Sequence, residues 1–210
     1  MTITFPVTIP TGREADIATL TISAIDVVGR SMSPFTKASQ SFEHPGKLWQ
    51  MVVELNPLSR AAAQPWVAFL TSLRGRYGTF TMGDPSAATP RGPAGGTPRV
   101  STSSQTGLTL VTYGWTGSAT GVLLAGDYVQ LNDGASPRLY KNIADVNTTS
   151  GGVATLDLWP TLRSPPNSGA TIIVNSCVSV WQLTDNGMNV AISGPGIHQI
   201  SFSAEEALSV

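Results

Sequence analysis

The apolar positions of this chain change period several times, and the changes mark out its elements. Trp49, Met51, Val53 and Leu55 alternate with Gln50, Val52 and Glu54, the two-residue period of a strand. Asn56-Pro57 breaks that pattern, because proline has no N–H to give a ladder. Trp66, Phe69, Leu70 and Leu73 then fall at i, i+3, i+4 and i+7, which is one face of a helix. Gly75 stands where this helix should stop, between Arg74 and Arg76; glycine suits a C-terminal cap, and cations suit the negative end of a helix. Tyr77, Phe80 and Met82 restart an extended pattern that Gly83-Asp84-Pro85 ends. The helix start has two readings. Ser59 is a good N-cap, which leaves Pro65 in the interior at a cost of about 3 kcal/mol. Alternatively, Pro65 is itself the first helical residue. In both, the face from Trp66 to Leu73 packs on the sheet.

The flanking patterns are mostly strand-like. Residues 3–12 read as an extended arm broken by Pro6 and Pro10, suited to a sheet edge or to lying over a neighbour. Residues 17–28 put Leu20 and Ile22 on one side and Thr19, Thr21 and Ser23 on the other, a half-buried strand. A loop is expected over 29–34, a polar strand over 35–43, a turn at His44-Pro45-Gly46, and a strand over 48–55. After Pro85 the composition shifts to Ser, Thr, Gly, Ala and Pro, with a strand-like piece at 108–111. Strands at 128–131 and 138–143 flank Asn132-Asp133-Gly134, a strong hairpin signal. Further strands are expected at 153–158 and 171–174, joined by the proline-rich WPTLRSPPNSG.

Past Cys177 the character of the first part returns. Strands are expected at 178–183, 188–192 and 197–202, with turns at Asp185-Asn186-Gly187 and Gly194-Pro195-Gly196. The tail AEEALSV reads as a short helical end or a disordered one. The expected fold is mainly β and discontinuous. Residues 1–85 and 177–210 form a β-rich unit carrying one α-helix, and residues 86–176 form an inserted all-β module. The two ends of an insertion must lie close together in its host, so strands 79–82 and 180–183 should be neighbours.

Composition narrows the function. The chain has 210 residues, 12% charged and 41% hydrophobic, with net charge −1. No basic excess suggests nucleic acid and no like-charge block suggests a disordered tail. Low charge is unusual for a small monomer and points to surface covered by other subunits; the plainer reading is a β protein solubilised by Thr, Ser and Asn. With one cysteine, Cys177, no disulfide forms within the chain. The opening MTITFPVTIP lacks the pattern of a secretory signal, and no window reaches the roughly 18 apolar residues of a membrane span.

Candidate chemistry is sparse. Phosphate-loop, dinucleotide, serine-hydrolase and zinc-protease motifs are all missing from the sequence. The two histidines, His44 and His198, read as a turn and a strand-surface residue. Cys177 reads as a buried small hydrophobe. Asp127, Asp133, Asp145 and Asp157 allow paired-carboxylate glycan hydrolysis, but Asp127 and Asp133 stand where backbone geometry alone favours aspartate. Glu205-Glu206 reads as a solvated tail. No cofactor or metal site is expected. Tyr113, Trp115, Tyr128, Tyr140 and Trp159 supply the module with aromatic rings; these suit sugar stacking, a core, or a subunit interface. Arg60, Arg74 and Arg76 bracket the helix, either for acidic groups on a neighbour or as charges complementing its dipole.

Several stretches together resemble the distal tail proteins of siphophages. They are WQMVVELNPLSRAAA, WVAFLTSLRGRYGTFTMGDP, SQTGLTLVTYGW with LLAGDYVQLNDG, ATLDLWPTLRSPPNSGATIIV, and VWQLTDNG with GIHQISFSAEEAL. The resemblance lies in order and character from about residue 45 onward and departs from the family pattern at Pro65. It implies a β-sandwich belt domain with a helix, plus an inserted OB-like or galectin-like β-module. It also implies a homo-oligomeric ring, a hexamer, in the virion tail tip. Such a ring joins the tail tube protein to the baseplate hub and to fibre or receptor-binding proteins. On this reading the chain is structural and not an enzyme, is made in the host cytoplasm, and has no sequence-specific nucleic-acid contact and no membrane. Trp49, Trp66, Phe69, Leu70 and Leu73 pack the belt, while Arg74, Arg76, Trp115 and Trp159 are candidate interface or glycan contacts. The alternatives are a carbohydrate-binding adhesion module, a glycan hydrolase, or another tail ring component such as a tube or terminator subunit.

Overall fold

The structure, a computed structural model, describes residues 3–132, 136–194 and 196–208. In chain order the strands and helix are β1 (Val7–Thr8), β2 (Ile17–Met32), β3 (Ser39–Leu55), β4 (Leu58–Ser59), α1 (Arg60–Ser72) and β5 (Thr79–Gly83). Then come β6 (Gly96–Val100), β7 (Thr109–Trp115), β8 (Tyr128–Leu131), β9 (Arg138–Asn142) and β10 (Ala154–Trp159). The last are β11 (Val178–Leu183), β12 (Val190–Ser193) and β13 (Ile197–Glu206). The fold is mainly β, and among the described residues α1 is its one α-helix.

Two sheets divide these strands. One has the order β1-β5-β11-β13-β3-β2, with β12 and β4 also on β13; the other runs β6-β7-β10-β9-β8. The first draws on both ends of the chain and the second on its middle. β5 and β11 pair antiparallel, with Val180 opposite Thr81 and Gln182 opposite Thr79, so the chain leaves and rejoins the first sheet on adjacent strands. The arm lies at a sheet edge, where β1 pairs parallel with β5. The first core gathers Trp49, Met51, Val53, Trp66, Phe69, Leu70, Leu73, Phe80 and Trp181 under α1. Burying a large apolar side chain of this kind contributes about 2 kcal/mol. Trp66 is fully buried, and its indole N–H donates to Asp16 Oδ2 at 2.9 Å.

The helix runs from Arg60 with Ser59 at its N-cap, so Pro65 is interior. The missing N–H leaves the carbonyl of Ala61 without its helical donor, but Ala61 is exposed and water can serve it. The left-handed stop begins one residue earlier than expected. Arg74 has φ 55 and Gly75 follows with φ 66. A Cβ on Gly75 would come within 2.8 Å of the Asn186 Cα, so that glycine is required by contact as well as by conformation.

Several expectations need correction. The expected loop at 29–34 is ladder as far as Met32, the reversal falls at 33–38 inside the expected polar strand 35–43, and the expected turn at 44–46 is ladder: β2 and β3 pair from Val27↔His44 to Met32↔Ser39. A register shift between Ile25 and Val27 places Pro45, Gly46 and Lys47 opposite Asp26, and such a bulge is where a proline fits inside a strand. The stretch 171–174 makes isolated bridges, Thr171 to Arg99 and Ile173 to Gln130, and β6 is a strand that the polar composition concealed. Ala204, Glu205 and Glu206 belong to β13, not to a helical or loose tail. The Asp133-Gly134 turn, Pro195 and the last residues of the tail, Ser209 and Val210, lie outside the described residues.

Candidate functional site

Two features stand out. The first is the distal part of the β2–β3 hairpin. β13 pairs with β3 only from Gln50 to Glu54, so beyond the bulge the two strands continue as a ribbon with no third strand beside them among the described residues. The chain reverses through Ser33 to Ala38, where the Ser33 N–H donates to the Ala38 carbonyl at 2.9 Å. Cross-strand register puts Val28 and Met32 on one face and Val27 and Phe42 on the other. All four are exposed, and Phe35 at the tip is 93% exposed. An isolated two-stranded ribbon is marginal in water, and this one has no face sheltered by its own chain. β2 is also the edge of its sheet over 16 residues, an unusually long open edge.

The second feature is the junction between the sheets. Arg163, from the proline-rich segment, forms an ion pair with Glu206 at the end of β13; the two side chains are 11% and 0% exposed. Arg163 also donates to the Lys47 carbonyl at 2.7 Å, and its backbone N–H donates to the Tyr140 hydroxyl at 3.1 Å. Arg138 donates to the carbonyls of Ala207 and Leu208. Trp49 donates to the Leu139 carbonyl at 3.0 Å and meets Trp159 edge-on at 4.4 Å. Trp159 donates to Asp26 Oδ1 at 2.9 Å. Burial, with the Arg163 bond opposing it, pushes the Tyr140 phenol up. Charged and indole groups from both sheets thus interlock across the junction.

The expected site residues fall as follows. Trp49, Trp66, Phe69, Leu70 and Leu73 share one core. Arg74 is exposed at the helix stop, and Arg76 reaches Glu205 of its own chain at 3.5 Å. Trp115 is 5% exposed in the core of the second sheet, with its indole N–H on the Thr112 hydroxyl at 2.7 Å. It therefore presents no ring face for a sugar to stack on. Trp159 is half-buried against Trp49. The structure brings Trp49 and Trp159 together and leaves Arg74, Arg76 and Trp115 apart.

The carboxylates act on the backbone. Asp127 accepts from the N–H groups of Arg91 at 3.0 Å, Gly92 at 3.2 Å and Leu124 at 2.8 Å, and from Arg91 Nε at 3.3 Å. Burial raises its pKa, but these bonds together outweigh burial and hold it below the ordinary value. Asp145 accepts from the Ala125 N–H at 2.8 Å. Cys177 is buried, which pushes its thiol up to about 12. Glu206, expected in a solvated tail, is a buried member of the junction; its partner lies 43 residues away, beyond the reach of any local pattern. His198 is likewise buried, not on a strand surface. Among the described residues no three His, Cys, Asp or Glu side chains gather to hold a metal, and no helix is long and apolar enough to cross a membrane. No protein-family model matches the chain, and no curated protein matches it.

Proposed function

We propose that this chain is a structural subunit of a phage tail, a distal tail ring protein joining the tail tube to the baseplate hub and to fibre or receptor-binding proteins. The observation that carries this reading is the open edge of β2 with its ribbon. A long unpaired edge and a two-faced apolar ribbon invite pairing with another chain. A contact between unlike surfaces of identical subunits forms a closed ring when its rotation closes, and the resemblance of the sequence to distal tail proteins points to a hexamer. The interlocked junction suits the same role, since a ring that carries a load between tube and hub needs its two sheets held as one piece. The test is quantitative mass spectrometry of purified particles. This reading expects about six copies per tail by analogy with closed symmetric rings; absence of the chain from the particles would overturn it.

A further inference from the structure

Beside the open edge, the protein has a groove that matches the ribbon in chemistry. It runs between the start of β2 and the first turn after β5, with a volume of about 490 Å³. Ile17, Leu20 and Ile22 supply half-buried apolar walls, and Glu14 and Asp84 supply the charge. The Asp84 carboxylate also takes the Ser86 N–H at 2.9 Å. Lys141 also lines it and sits over the Tyr128 ring at 4.4 Å from the centroid, so among the described residues the groove sets two carboxylates against one ammonium.

The ribbon is the complement. From Val28 to Phe42 it carries Arg30 and Lys37, and the one carboxylate at its base, Glu43 opposite Val28, is held by Lys47 at 2.5 Å. Of the chain's 12 basic residues, 10 remain elsewhere, against 13 acidic ones. The ribbon is therefore a basic, apolar projection on an otherwise acidic chain, with Phe35 at its tip. Ribbon and groove cannot meet within one molecule. The groove lies at residues 17–22 of β2, and the tip lies beyond Met32; at about 3.4 Å per residue they are separated by roughly 40 Å of extended strand.

We infer that the ribbon tip of one copy docks into the Glu14–Asp84 groove of a second copy, with Phe35 against Ile17, Leu20 and Ile22 and with Arg30 and Lys37 facing the two carboxylates. Such a contact joins two different surfaces of the same chain, so it propagates head to tail and closes into a ring if the rotation allows. The inference rests on the ring reading above for its place in a particle, but not for its chemistry. Opposed charges at the contact also set the register and reject a misaligned neighbour.

The experiment is a charge swap read by analytical ultracentrifugation of the full chain. Arg30→Glu with Lys37→Glu, and separately Glu14→Lys with Asp84→Lys, each weaken self-association by about tenfold or more. An equal mixture of the two variants recovers it, because each acidic ribbon then finds a basic groove and each basic ribbon an acidic one. Near-ultraviolet circular dichroism confirms that each variant is folded. A second arm does not depend on the Asp84 turn: Thr36→Cys with Ser86→Cys gives a ladder of disulfide-linked oligomers, while either change alone gives none. A wild-type chain that stays monomeric, variants that associate like the wild type, or a mixture that fails to recover overturns the docking. A ring with Thr36 and Ser86 unlinked sinks the docking alone, whereas particles lacking the chain sink the tail reading alone.

Discussion

Replacing Glu206 by glutamine tests the junction most sharply. The change keeps the size of the side chain and removes the charge facing Arg163. Glu206 is fully enclosed and Arg163 nearly so, so the remaining guanidinium is left in a dry site. Removing one member of a buried pair costs about 3–5 kcal/mol. Arg163 keeps its bond to the Lys47 carbonyl, which places the expected loss near the lower limit, about 3 kcal/mol. Glu206 Oε1 and Arg163 Nε have no partner among the described residues, so the pair is imperfectly satisfied there. Arg163→Met combined with Glu206→Met should therefore cost less than Glu206→Gln alone, since an apolar replacement of a whole pair is often neutral. Urea unfolding followed by tryptophan fluorescence and far-ultraviolet circular dichroism measures both, with the midpoint falling and the slope unchanged. A loss below about 1 kcal/mol for Glu206→Gln, the size of an exposed pair, would show that water reaches the junction and would refute the reasoning.

Other consequences follow from single residues. Asp127→Asn turns one acceptor oxygen into a donor facing backbone N–H groups and should cost about 2 kcal/mol by thermal or urea unfolding. Because the folded pKa of Asp127 lies below the unfolded value of 3.8, its contribution is complete above that value and is lost as pH falls through the folded one. The variant should flatten this part of the acid limb; an unchanged limb would contradict the assignment. Pro65→Ala restores the donor to the Ala61 carbonyl but gives up the stiffness of the unfolded chain, for a net gain of about 1 kcal/mol, and a lower melting temperature would argue against the interior placement. Cys177 should react with a disulfide reagent only as the protein unfolds, because its thiol is buried and held up to about 12; fast labelling of the native protein would contradict this.

The parts legible in the sequence were those with local periodicity. The alternation of Trp49 to Leu55 and the face from Trp66 to Leu73 were readable because burial follows strand and helix geometry directly. The pairing of β5 with β11 was readable from a constraint, that an insertion must leave and return at nearby points. What escaped depends on distant partners or on ladder irregularities. Pro45 reads as a turn because the bulge opposite Asp26 that accommodates it is a tertiary event. Glu206 reads as tail because Arg163 arrives from another sheet. Trp115 reads as an available ring because the irregularity at Gly114, with φ 87, turns it to the same inner face as Thr112, three residues before it. The ribbon was hidden for a related reason: its polar, alternating residues look like loop and short strand when no burial accompanies them.

The most direct test of the central claim is cryo-electron microscopy of the assembled particle with this chain located in the density. The account predicts a closed ring of copies between tail tube and hub, with each β2–β3 ribbon lying on the neighbouring copy. Density that places the chain outside the tail, or that shows it as a single copy with its ribbon free in solvent, would contradict it.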